Sequence, residues 1–95
     1  MRITEAQARL LKEGVREYLP QASVYLFGSR ADDAKRGGDI DVLVIGERPL
    51  EPVESGRVKA KFYERFGEQK MDIVSFAEGE HTAFRDLIES EAVPL

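Results

Sequence analysis

With 95 residues, 14 Lys and Arg against 18 Asp and Glu, and a formal charge of −4, this chain has material for one small core, because a domain of this size hides only roughly 60–68% of its unfolded surface. A hydrophobic content of 42% predicts a folded chain, and zero cysteines exclude disulfides and thiolate metal sites and predict a cytoplasmic protein. The apolar runs Val24–Phe27 and Val42–Ile45 are too short to cross a membrane, and the acidic balance argues against broad nucleic-acid contact, so the predicted partner is a small molecule or a protein.

Ile3, Leu10, Leu11, Val15, Tyr18 and Leu19 keep to one helical face, and Thr4 with Gln7 three residues on forms a capping box. A first helix is predicted from about Glu5 to Tyr18, ending before Pro20. Val24–Phe27 reads as a buried strand closed by Gly28, and the polar stretch Arg30 to Gly38 ends in the breaker pair Gly37-Gly38. Asp39–Ile45 is a second strand, apolar on both faces after its opening residues. Val58, Phe62 and Phe66 recur every four residues and predict a helix from about Glu54 to Phe66. Met71–Phe76 reads as a third strand, and Phe84, Leu87 and Ile88 stripe a last helix from about Glu80 to Glu91, before Pro94. The expected fold is one α/β (α+β) domain over residues 1–95, a small mixed three-stranded sheet flanked by helices.

The polar residues of interest sit where these elements begin and end. Gly28-Ser29-Arg30 closes the first strand, Asp39-Ile40-Asp41 opens the second, and Asp72 lies at the start of the third. Alternation places Asp39 and Asp41 on one face, about 7 Å apart along the strand. Nine residues between Ser29 and Asp39 are too few for a parallel crossover, so the first two strands are predicted antiparallel. The long helical connection to the third strand suits a parallel crossover, which brings Asp72 beside the Asp39/Asp41 pair. Three clustered carboxylates are a donor set for hard cations such as Mg²⁺, and two such ions can clamp a phosphoryl displacement. A Gly-Ser turn offers backbone N–H groups and a hydroxyl to phosphate oxygens, with Arg30 as counter-charge.

Gly28-Ser29, nine residues, Asp39-Ile40-Asp41 and then Asp72 in an apolar strand resemble the motif of the DNA polymerase β-type nucleotidyltransferases. Over nearly its whole length the chain is similar to the minimal nucleotidyltransferase (MNT) proteins of toxin–antitoxin modules, which implies the nucleotidyltransferase fold. The resemblance implies that Asp39 and Asp41 ligate two Mg²⁺ ions, and that Asp72 completes the metal shell and helps deprotonate the attacking hydroxyl. It further implies that Gly28 and Ser29 hold the β- and γ-phosphates of ATP. The implied partner is a HEPN-domain toxin carrying a tyrosine acceptor, in a hetero-oligomer without membrane or bulk nucleic acid. Two other readings of the same residues are an antitoxin that only binds and occludes its toxin, and a small-molecule nucleotidyltransferase of the aminoglycoside-modifying kind.

Other polar residues read more plainly. Lys35 and Arg36 read first as a solvated loop and second as contacts to the nucleotide or the acceptor, and Arg57, Lys61 and Arg65 read first as a polar helix face and second as a partner-docking row. His81, the only histidine, is expected at the surface or as a helix cap.

Overall fold

The computed structural model describes residues 2–32 and 38–95, so Lys35, Arg36 and Gly37 lie outside the described residues. In chain order the elements are α1 (Glu5–Arg16), β1 (Ser23–Phe27), a 3₁₀ turn (Gly28–Ala31), β2 (Ile40–Gly46), α2 (Pro52–Phe66), β3 (Met71–Ala77), α3 (Ala83–Glu91) and β4 (Val93–Pro94).

Local chemistry explains the helix boundaries. Thr4 Oγ1 accepts from the Gln7 N–H at 3.0 Å while the Thr4 N–H donates to Gln7 Oε1 at 2.9 Å, the reciprocal pair of a capping box. Helix α1 stops at Arg16, short of the expected Tyr18, because the chain turns there, with the Tyr18 and Leu19 N–H groups both donating to the Val15 carbonyl. That turn drives Leu19 into the core. Helix α2 starts two residues earlier than its apolar spacing predicts, since Pro52 suits the first turn and Glu51 caps it, its N–H donating to Glu54 Oε1 at 2.8 Å. Helix α3 starts three residues later than expected. Thr82 is its cap, accepting from the Arg85 N–H at 3.0 Å, and the Arg85 guanidinium gathers the carbonyls of Ala77, Glu78 and Glu80 into a tight loop. His81 sits exposed in that loop, 3.3 Å from Asp86 Oδ1.

The sheet order is β3-β2-β1-β4. β1 and β2 are antiparallel, with Phe27 opposite Asp41, and β2 and β3 are parallel, with Asp41 beside Asp72, as the loop lengths predict. The fourth strand is an addition to the predicted three. Val93 and Pro94 pair with Leu26 and Tyr25, and the Leu95 N–H donates to the Val24 carbonyl at 2.9 Å. Proline is tolerated there because β4 is an edge strand and needs no N–H on its outer side.

Side-chain alternation divides the core. Ile40, Val42 and Val44 of β2 join Val24 and Leu26 of β1 against Leu11 and Val15 of α1 and Val58 and Phe62 of α2. Asp41, Leu43 and Ile45 alternate to the opposite face, where Ile88 of α3 closes a smaller cluster with Tyr25, Phe27, Val74 and Phe76. One face is thus sealed by two long helices, the other only partly by a nine-residue helix. Among the described residues no helix is long and apolar enough to cross a membrane.

The connection from β2 to α2 is tied by one ion pair, Arg48 donating from both terminal nitrogens to Glu54 at 2.8 and 3.0 Å. This bidentate bond, with the Glu51 N–H, holds the Glu54 carboxyl down from 4.5 to about 2. A depressed carboxyl stabilises the fold above its unfolded value and loses that contribution as pH falls through the folded one. Between pH 4.5 and about 2, the melting temperature of Glu54→Gln should therefore fall less steeply than that of the wild type, measured by thermal melts across that window.

Candidate active site

Gly28 has φ +72°, a conformation that lets the chain leave β1 directly into the 3₁₀ turn. A Cβ at this position would run into Asp41 Oδ2, so glycine is needed for space as well as for its backbone. Ser29 and Arg30 follow in the same turn. Asp41 lies on β2 beside this turn and Asp72 is its neighbour on β3. Asp39 stands just before β2, its side chain 49% exposed. The register thus brings the Gly28-Ser29 turn, Asp41 and Asp72 to one end of the sheet, with Asp39 one alternation further out.

Electrostatics there are unfavourable in the absence of a cation. The Asp41 carboxyl is pushed up from the ordinary aspartate value, first by burial and then by the negative charges of Asp72 and Asp39, with Lys70 opposing. Lys70 escaped the sequence analysis. Its Nζ lies 3.6 Å from Asp39 Oδ2, and its carbonyl accepts from the Ile40 N–H at 3.0 Å. The detectable signal was its position, two residues before Asp72 and hence on the same side of the strand. Among the described residues no three His, Cys, Asp or Glu side chains group closely enough to hold a metal ion.

Arg30 binds protein groups. Its Nη1 donates to the Arg2 carbonyl at 3.0 Å, and its Nη2 to the Gly38 carbonyl at 2.9 Å and Gln69 Oε1 at 3.2 Å. Arg2 returns the contact, its N–H reaching the Arg30 carbonyl at 2.9 Å and its Nη2 the Ser29 carbonyl at 3.0 Å. One guanidinium therefore ties the turn to the residue before Asp39 and to the segment leading into Asp72. The Arg57, Lys61, Arg65 row lies elsewhere on α2. Lys61 pairs with Glu17 of α1 at 2.6 Å and Arg65 lies over the Phe66 ring.

Residues 8–94, nearly the whole chain, match the nucleotidyltransferase domain family. The chain belongs to that family. It is a nucleotidyltransferase. It is 29% identical over 87 residues to a probable protein adenylyltransferase, MntA, from Haemophilus influenzae, an alignment covering 90% of this chain and 75% of that protein. Its fold is similar to that of an MNT antitoxin solved in complex with the tri-AMPylated HEPN toxin of Shewanella oneidensis. The TM-score is 0.65 at 16% identity, over 97% of this chain and 71% of that one. A variant of the toxin–antitoxin pair MntA–HpeT superimposes with a TM-score of 0.69 at 18% identity, over 99% of this chain and 72% of that one. The mixed sheet and flanking helices of this nucleotidyltransferase are therefore those of the MNT fold.

Proposed function

We propose that this nucleotidyltransferase moves AMP from ATP onto a tyrosine hydroxyl of a cognate HEPN-type toxin, acting in the cytoplasm as the antitoxin of the pair. The observation that carries the reading is the register of Asp41 beside Asp72, at the mouth of the Gly28-Ser29 turn. The name of the Haemophilus relative and the HEPN complexes among the structural neighbours support the choice of donor and partner.

Asp41 and Asp72, side by side in the register, supply oxygen donors of the kind a hard cation takes, and Asp41 already bears the cost of uncompensated negative charge; Asp39 would leave Lys70 to join them. Asp39, Asp41 and Asp72 would hold Mg²⁺, which when bound neutralises the triphosphate and eases ionisation of the acceptor hydroxyl. The Gly28-Ser29 turn would bind the β- and γ-phosphates through its N–H groups and the Ser29 hydroxyl. Asp72, on the exposed edge strand, would meet an incoming hydroxyl and take its proton. The hydroxyl oxygen bonds to the α-phosphorus, the bridge to the β-phosphate breaks, and pyrophosphate leaves. Arg30 acts here by holding the turn and the two carboxylate-bearing segments together.

The test is to incubate the protein with its HEPN-type partner, Mg²⁺ and each labelled nucleoside triphosphate in turn. Label should enter the partner from ATP, as AMP-sized mass increments on tyrosine. An unmodified partner that is nonetheless neutralised would show instead an antitoxin that acts by occlusion.

A further inference from the structure

The sheet face carrying Asp41 is only partly covered. Ile88 of α3 packs on Leu43 and Ile45, but Phe84 and Leu87, three residues apart on α3, remain 53% and 62% exposed. Phe84 stands 6.5 Å, ring to ring, from half-buried Phe76 on the edge strand β3. Val93, just after α3, pairs with Leu26 near the Gly28 end of β1, so α3 runs from the far end of the sheet toward the carboxylates. The apolar row of Phe84 and Leu87 therefore leads along the face to the site.

Its charge is one-sided. Residues 71–95 hold six acidic residues and one arginine, a net charge of −5 in a chain whose total is −4. That arginine, Arg85, is buried and bonded to the carbonyls of the loop before α3, leaving Asp86 and Glu91 on the exposed side of the helix. An apolar strip with an acidic margin complements an apolar segment flanked by Lys or Arg, and such a margin speeds encounter with a basic partner.

We propose that the α3 face, centred on Phe84 and Leu87, docks the acceptor protein through an apolar, basic-margined segment and so delivers its hydroxyl to the carboxylate end of the sheet. This rests on the proposed transfer to a HEPN-type protein. Both anchors are exposed, so replacing them leaves the core intact. Phe84→Glu and Leu87→Glu should each raise KM for the partner at least about 10-fold, the loss usual for one interface anchor, with kcat at saturating partner and the Mg²⁺-ATP-induced melting shift unchanged. Asp86→Lys with Glu91→Lys should weaken binding most at low salt. Unchanged KM in both anchor variants, with the wild type still labelling the partner, overturns the docking face and leaves the transferase reading standing. A wild-type dimer that Leu87→Glu dissociates, with KM unchanged, overturns it as well, in favour of self-association. A wild type that labels no partner defeats the transfer reading itself, and the docking proposal with it.

Discussion

Asp41→Asn should lower nucleotidyl transfer at least about 10²–10³-fold, the usual cost of removing one charged element of a transition-state clamp, while raising the melting temperature of the cation-free protein. Both effects come from one side chain. The Asp41 carboxyl is disfavoured as an anion by burial and by Asp72 and Asp39, so its folded-state proton affinity exceeds that of the unfolded chain. Such a group supports the fold below its unfolded value and loses that support as pH rises through the folded one, so at neutral pH the ionised carboxylate opposes folding. Asparagine keeps the shape and removes the charge. Added Mg²⁺ should raise the wild-type melting temperature at pH 7 and less at pH 4, where protons compete for the ligand oxygens. The variant should show neither the shift nor the transfer. Equal labelling by wild type and variant, or a magnesium shift that survives the substitution, would remove Asp41 from the site.

The second large effect is expected at Gly28→Ala, which should cost about 1–3 kcal/mol of stability, the range for a residue held in a sparsely allowed conformation, and abolish transfer. The left-handed φ contributes part of that loss. The rest comes from the new methyl, which must displace the Asp41 carboxylate. Gly67 shows backbone strain without a clash, since φ +90° with ψ 159° is a conformation essentially reserved to glycine and an added Cβ there meets nothing within 4 Å. Urea unfolding of Gly67→Ala should show a strain cost without a clash, and the part of the Gly28→Ala loss that a second substitution, Asp41→Ala, removes measures the clash. Gly38→Ala, with open space and no positive φ, should fall within about 0.5 kcal/mol of wild type. A Gly28→Ala cost that is the same with Asp41→Ala as with Asp41 in place would mean that Asp41 does not crowd the turn.

The strand pairings were legible because loop length constrains them. Nine residues after Ser29 force an antiparallel return, and a helical crossover permits the parallel one, so Asp41 beside Asp72 follows from spacing. Helix α1 was legible through its Thr4/Gln7 box. The starts of α2 and α3 were less so, because Glu51 and Thr82 cap them ahead of or behind the apolar period. The β4 strand gave no local signal, since two residues ending in proline become a strand only when β1 offers an open edge. Arg30 read from sequence as a phosphate counter-charge, yet its acceptors belong to residues 2, 38 and 69, whose meeting is a tertiary event.

By itself, then, the sequence determined the element order as far as α3, the mixed pairing of the first three strands and which carboxylates share an end of them, because alternation and connection length are local properties of the chain. The tertiary structure decided how those carboxylates are held. It placed Lys70 against Asp39, set Asp41 where a Gly28 side chain would stand, and left Phe84 and Leu87 uncovered on α3. Each of these depends on which distant residues come into contact, and contact energies between segments far apart in sequence arise only once the fold brings them together.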